Sequence, residues 1–399
     1  MEGLAINGGK PIRDDFLVFS APKIYDAEIN ELIQTLKSGW IGTGPKVKRF
    51  EEEFASYKGV NHALALNSCT AGLSLGLSIL NIGPGDEVIT TPMTFAATAN
   101  VIFHQGGKPV FVDIEEDTHN IDPEKIKAAI TEKTKAIMPV HIAGHSCQMD
   151  HIMEIANNHN LFVIEDCAHA VETEFKGKKA GVIGDLGVFS FYPNKNMTTG
   201  EGGMLITNNE DLIDKARIQS LHGMDKDAWK RFSASGFKPY DIVYPGYKYN
   251  MTDIQASLGL HQLKRVENNL LIRDKIYKQF NQAFSNIEEI EIPQEKGEIR
   301  HARHLYRILI KPEKLNCNRN EFIQILQKEN IGSGIHYPAL HTSIYYKKQF
   351  NYQEGMFPIT EKGGENTISL PLSPYMNEKD VNDTIIAVEK VIRNLRKWQ

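Results

Sequence analysis

The chain has 399 residues, 41% apolar and 24% charged, which suits an ordinary globular protein large enough for two domains. A formal net charge of −5 without any basic stripe argues against nucleic acid as a partner. No apolar run approaches the roughly 20 residues of a spanning helix, and "MEGLAINGGKPIRDDF" lacks the apolar core of a secretory signal. Four cysteines (Cys69, Cys147, Cys167 and Cys317) are too few for a disulfide framework, so a cytoplasmic protein with free thiols and no membrane partner is expected.

Strand-like and helical segments alternate from residue 62 onward. "HALALNS" (62–68) reads as a strand and "TAGLSLGLSIL" (70–80) as the helix behind it. "DEVITTP" (86–92), "KPVFVDI" (108–114), "KAIMPVHI" (135–142), "LFVIED" (161–166), "LGVFSFY" (186–192) and "GMLITN" (203–208) continue the strands. Between them, "DPEKIKAAITEKT" and "DHIMEIANNHN" space their apolar residues as helices do. The repetition predicts an α/β fold, a mostly parallel central sheet covered on both faces. A long helix is expected over 254–284, and then "HLYRILI", "RNEFIQILQKENI" and "DVNDTIIAVEKVIRNLRKW" suggest a smaller α+β unit. The expected division is a large domain over 1–265 and a small C-terminal domain over 266–399.

Sites in parallel sheets lie at the carboxyl ends of the strands. Three features fall there: Asp166 closing "LFVIED", the "NSCTAG" turn (67–72) opening a helix, and Lys195 after "GVFSFY". Each has a bland reading alone, as a cap, a turn or a solvated charge. Together they match the needs of pyridoxal 5′-phosphate: a lysine amine for the Schiff base, an acid for the pyridine nitrogen and an anion cradle at a helix N-terminus. The amine must be unprotonated to attack an aldehyde, so burial or a cationic neighbour has to lower its pKa. The "TTGEGG" run after Lys195 is expected to let backbone approach the cofactor closely. In "HIAGHSCQMDH", His141, His145, Cys147 and His151 have no standard metal-ligand spacing, so no metal is expected.

With "FSFYPNKNMTTGEGG", "VIEDCAHA", "LNSCTAGL", "SGWIGTGPKVKRFEEEFA" and "YPGYKYNMTDIQASLGL" in this order, the sequence resembles the nucleotide-sugar aminotransferases of the DegT/StrS group. These are fold-type I pyridoxal-phosphate enzymes. "PVHIAGHSCQMD" and "GIHYPALHTSIYY" are similar to members that aminate C4 of a UDP-4-keto sugar for lipid A and surface glycans. The resemblance implies that Lys195 binds the cofactor covalently and moves the substrate proton, and that Asp166 pairs with the pyridine nitrogen. His169 would lie beside the ring and its 3-hydroxyl, Phe95 would stack on the ring face, and Cys69, Thr70 and Ser190 would hold the phosphate. Thr43, Gly44, His336 and His341 would border the sugar pocket. It also implies a homodimer with shared sites, in which "GYKYN" reaches the neighbouring phosphate through Lys248 or Asn250, and L-glutamate as amino donor. Relatives that deoxygenate C3 carry His in place of the lysine, so Lys195 counts against that chemistry; a filled set of cofactor positions counts against a purely regulatory role.

Overall fold

A computed structural model describes residues 3–225 and 240–397. The chain builds β1 (His62–Leu66), β2 (Glu87–Thr90), β3 (Lys108–Phe111), β4 (Thr134–Ile137) and β5 (Phe162–Asp166), then a short hairpin, β6 (Glu174–Phe175) and β7 (Lys178–Lys179), then β8 (Leu186–Ser190) and β9 (Gly203–Thr207). Seven of these strands form one sheet in the order β1-β9-β8-β5-β4-β2-β3. From β8 to β3 all neighbours are parallel, while β9 runs antiparallel to both β8 and β1. The α/β expectation holds, and the predicted strands match the observed ones closely.

Alternation along the strands explains the two cores. In β1, Leu64 and Leu66 point to one face and Ala63 and Ala65 to the other; in β9, Leu205 opposes Met204 and Ile206. The Leu face packs on the helix Cys69–Ile79, whose side chains are buried except at Thr70. The opposite face packs on Phe50 and Phe54 of the helix Pro45–Lys58 and on Ala256 and Leu260 of the long helix Asp253–Phe284. That long helix starts at a capping box in which Thr252 and Gln255 satisfy each other's backbone N–H groups, a device contributing about 1 kcal/mol. At Gly259 a methyl group would sit 2.6 Å from the Phe50 ring, so glycine lets the helix close onto the core.

A further core forms around β10 (Ile290–Glu291), β12 (Tyr306–Ile310) and β13 (Thr367–Leu370), an antiparallel sheet in the order β10-β12-β13, while β11 (Ile299–Arg300) joins β6. The helices Arg319–Lys328 and Glu378–Leu395 pack on it, as do Ile276, Tyr277, Phe280 and Phe284 from the far half of the long helix. Trp398, in the last predicted helical run, lies outside the described residues. The N-terminal segment crosses to this core: Leu4 is buried in it, and Arg13 binds Asp380 and Asp383 at 2.8 Å each. Among the described residues no helix is long and apolar enough to cross a membrane.

Candidate active site

The carboxyl ends of β1, β2, β5 and β8 converge on one cavity of about 430 Å³. Cys69, Thr70, Phe95, Asp166, His169, Ser190, Lys195 and His336 all line it, so the structure brings eight of the residues chosen from sequence to one place. Asp166 ends β5 and is buried, with Oδ2 accepting from Thr98 Oγ1 at 2.8 Å and Oδ1 from the Ala168 N–H at 3.1 Å. Burial raises its pKa; the Ala168 N–H, the Thr98 hydroxyl and the charge of Lys195 oppose that rise.

Lys195 sits on the turn after β8, where its N–H closes on Tyr192 O at 2.9 Å. The neighbouring Asn196 anchors the turn by donating to Glu172 Oε2 (2.6 Å) and Ala302 O (3.1 Å). Among the described residues nothing accepts a hydrogen bond from Lys195 Nζ, and burial lowers its pKa to about 8, against the pull of Cys69 and Asp166. Beside it, Asn194 Oδ1 is buried without a partner. Phe95, the residue before the helix Ala96–His104, is 62% exposed into the cavity, an open aromatic face.

His169 is held in one tautomer. Its Nδ1 accepts the Ala143 N–H at 3.2 Å, which leaves Nε2–H to face Tyr337 Oη at 3.1 Å. Burial, reinforced by Lys195, keeps the ring neutral. His336 is likewise neutral, its pKa lowered to about 3 by burial, and its Nδ1 lies 2.8 Å from Ser369 Oγ.

The helix Cys69–Ile79 points its N-terminus at the cavity. Ser68 caps it through the Ala71 N–H at 3.1 Å, and the N–H groups of Cys69 and Thr70 have no partner within the helix. The Cys69 thiol turns away toward Val188 O (3.9 Å) and is buried, so this residue offers the cavity its backbone. The expectation for "TTGEGG" changes in detail. The close approach is made by Gly203 to the protein itself: a methyl group there would meet Cys69 N and Ser68 C at 2.5 Å.

His341 does not reach the cavity, a correction to the sequence reading. It is fully buried, with Nε2 2.9 Å from Glu361 Oε1 and its ring 4.7 Å from Phe357. Thr43, Gly44 and Asn250 line a separate, larger cavity of about 940 Å³ with Trp40 and Ile41. Asn250 Nδ2 donates to Thr43 Oγ1 at 2.7 Å, while Lys248 is exposed. His145 bonds Ser146 O and Asn120, His151 is exposed, and His141 and Cys147 are spent on internal hydrogen bonds. His141, Glu165 and Cys167 do cluster, but the Glu165 carboxylate is already saturated by His141 Nε2 and the N–H groups of Gly181, Ile183 and Gly184 at 2.7–2.9 Å. Thr98 and Tyr337 were missed from sequence. Tyr337 adjoins His336 in a motif already singled out; Thr98 stands one helical turn into "TFAATAN" with nothing to mark it.

The profile of the DegT/DnrJ/EryC1/StrS aminotransferase family matches residues 22–389. The chain belongs to that family. It is 53% identical over 385 residues to the uncharacterized protein MJ1066 of Methanocaldococcus jannaschii, covering 96% of this chain and 100% of that one. It is 50% identical over 382 residues to the spore coat polysaccharide biosynthesis protein SpsC of Bacillus subtilis, covering 96% and 98%. Among solved structures, the putative sugar aminotransferase Spr1654 of Streptococcus pneumoniae in its PMP form superposes with a TM-score of 0.89 at 37% identity, over 95% of this chain and 99% of that one. Family and fold make this chain a pyridoxal-phosphate-dependent sugar aminotransferase of fold type I. The cavity suits that cofactor: an unpaired buried amine, a buried carboxylate, an open aromatic face, an orphaned amide oxygen and a helix N-terminus all line it.

Proposed function

We propose that the enzyme transfers an amino group from L-glutamate to the 4-keto carbon of a nucleotide-linked sugar, with UDP as the nucleotide, for surface-glycan or lipid A-type polysaccharides. One observation carries the reading: Lys195, with no hydrogen-bond partner for its amine among the described residues, shares a buried cavity with Asp166. The name of SpsC supports a polysaccharide pathway.

Pyridoxal phosphate, when bound, supplies an electron sink for the electrons released at the substrate carbon. The protein's residues do the rest. Burial keeps Lys195 Nζ partly unprotonated near neutral pH, so with the cofactor bound it would accept the proton from the substrate carbon and deliver it to the cofactor's carbon. Asp166, steadied by Thr98 and Ala168, would pair with the pyridine nitrogen. The N–H groups of Cys69 and Thr70 and the Ser190 hydroxyl would hold the phosphate, with Phe95 against the ring and His169 toward the 3-hydroxyl. His336 borders the sugar. The enzyme acts in the cytoplasm as a homodimer, and the cavity around Thr43, Gly44 and Asn250, with exposed Trp40 and Ile41, is the face a second copy covers. Lys248 or Asn250 then reaches the neighbouring phosphate.

The test follows visible absorbance of the loaded protein before and after excess L-glutamate, then amine transfer to UDP-4-keto sugars. Bleaching of the yellow cofactor and a 4-amino product are expected. A stable yellow colour would remove glutamate as donor, and turnover by Lys195→Ala would sink the residue assignment.

A further inference from the structure

Behind His336 and Tyr337 lies a third cavity, of about 390 Å³, which shares no lining residue with the Lys195 cavity. Arg307 on β12 lines it and is only 7% exposed. Among the described residues its guanidinium makes one hydrogen bond, a long one of 3.4 Å from Nη1 to the His336 carbonyl. Among the described residues no carboxylate lies within ion-pair distance of it. The other deeply buried arginines are all compensated: Arg13 by Asp380 and Asp383, Arg273 by Glu172, and Arg303 by Asp274 and Glu295. A buried charge left alone is costly unless something arrives to pair it.

A second donor faces the same space. Tyr277, 1% exposed on the long helix, lines the cavity, and its hydroxyl is buried without a hydrogen-bond partner. The Arg303 guanidinium lies over the Tyr277 ring, 4.2 Å from its centroid, a cation–π contact that also brings positive charge near the hydroxyl. The histidines lining the cavity add no charge. Burial, with Arg307 nearby, lowers the pKa of His119 to about 3 and that of His145 to about 4. Arg307 itself stays cationic, since burial brings it down only to about 10. The interior therefore carries one positive charge, and the exposed acids Glu116 and Asp117, with the half-buried Glu291, also border the cavity, where they disfavour dianions.

We infer that this cavity binds a small monoanionic carboxylate, seated on the Arg307 guanidinium with the Tyr277 hydroxyl as second donor. A planar guanidinium matches a carboxylate in a way a point charge does not. Ile290, Leu305 and Leu309 give the organic part of the ligand an apolar wall.

The probe is 4-bromobenzoate, offered to the pyridoxal-phosphate-loaded enzyme in crystals and by calorimetry, with inorganic phosphate as comparison. An anomalous bromine peak in the Arg307 cavity is expected. Affinity should fall about tenfold in Tyr277→Phe and further in Arg307→Gln, since hydrogen bonds to charged groups are among the stronger ones. Because the hydroxyl has no partner, Tyr277→Phe should melt no lower than wild type without ligand, and the carboxylate should raise the melting temperature of wild type more. A peak confined to the Lys195 cavity, equal affinity in wild type and both variants, or binding of phosphate in preference to the carboxylate would each overturn the proposal.

Discussion

Thr98 Oγ1 donates to Asp166 Oδ2 across 2.8 Å, and Thr94 stands 2.8 Å behind Thr98, so a relay of two hydroxyls leads to the buried acid. The Thr98 hydrogen bond, like that of the Ala168 N–H, counters the burial that raises the Asp166 pKa. Removing one should make the carboxylate a poorer partner for the cofactor. Thr98→Val is expected to weaken pyridoxal phosphate binding about tenfold, the worth of one hydrogen bond to a charged group. Titration of apo-protein with the cofactor, followed by visible absorbance, measures it; an unchanged affinity would separate the hydroxyl from cofactor binding.

The lowered pKa of Lys195 sets a pH profile. Burial, its largest cause, disfavours the ammonium, and the amine titrates at about 8. Only the neutral amine attacks an aldehyde, so cofactor capture by apo-protein should accelerate about tenfold per pH unit below 8 and level off above it. Stopped-flow absorbance at saturating cofactor reads this out, and Lys195→Ala should show no capture at any pH. A plateau beginning near 10 would mean that the amine is solvated before the cofactor enters.

Much of this was open to sequence reading because the signals were local. Strands of the main sheet show alternating or continuous apolar runs bounded by turn residues, and Asp166, Ser68 and Lys195 fall at their carboxyl ends. What escaped depends on distant contacts. His341 looked like a pocket residue beside His336, yet Glu361 and Phe357 draw it into a separate cluster. The N-terminal segment has few apolar residues and no period, so nothing in it announced that Leu4 joins a core built from Ile276 onward or that Arg13 pairs with Asp383. The Arg307 cavity was equally hidden, since an arginine in a strand reads as an exposed or paired residue until its surroundings are known.

Gly203 tests the phosphate turn. It opposes both Leu66 and Ser190 in the sheet, and a methyl group would collide with the backbone at Ser68 and Cys69, which cannot swing aside as a side chain can. Gly203→Ala should therefore push the helix N-terminus out of place. Expected are a stability loss of about 1–3 kcal/mol in urea unfolding and cofactor affinity lowered by more than the loss of stability alone would cause. Wild-type affinity in a folded variant would show that the turn tolerates the shift.

The buried pair of Glu165 and His141 makes the last prediction, one of stability against pH. Burial of Glu165 works against its charge, but His141 Nε2 and the N–H groups of Gly184 and Gly181 outweigh it, and the pKa ends below the usual 4.5. The unfolded carboxylate therefore binds its proton first as pH falls. The stabilisation is present above pH 4.5 and is lost as pH drops through the lower folded value. Glu165→Gln keeps the shape but turns amide hydrogens toward backbone donors, leaving buried groups unsatisfied at a cost of about 3–5 kcal/mol at pH 7. The stability gap between wild type and variant should shrink steadily below pH 4.5, as urea midpoints at stepped pH would record. A gap independent of pH would mean that the carboxylate's charge adds nothing to the hydrogen bonds it accepts.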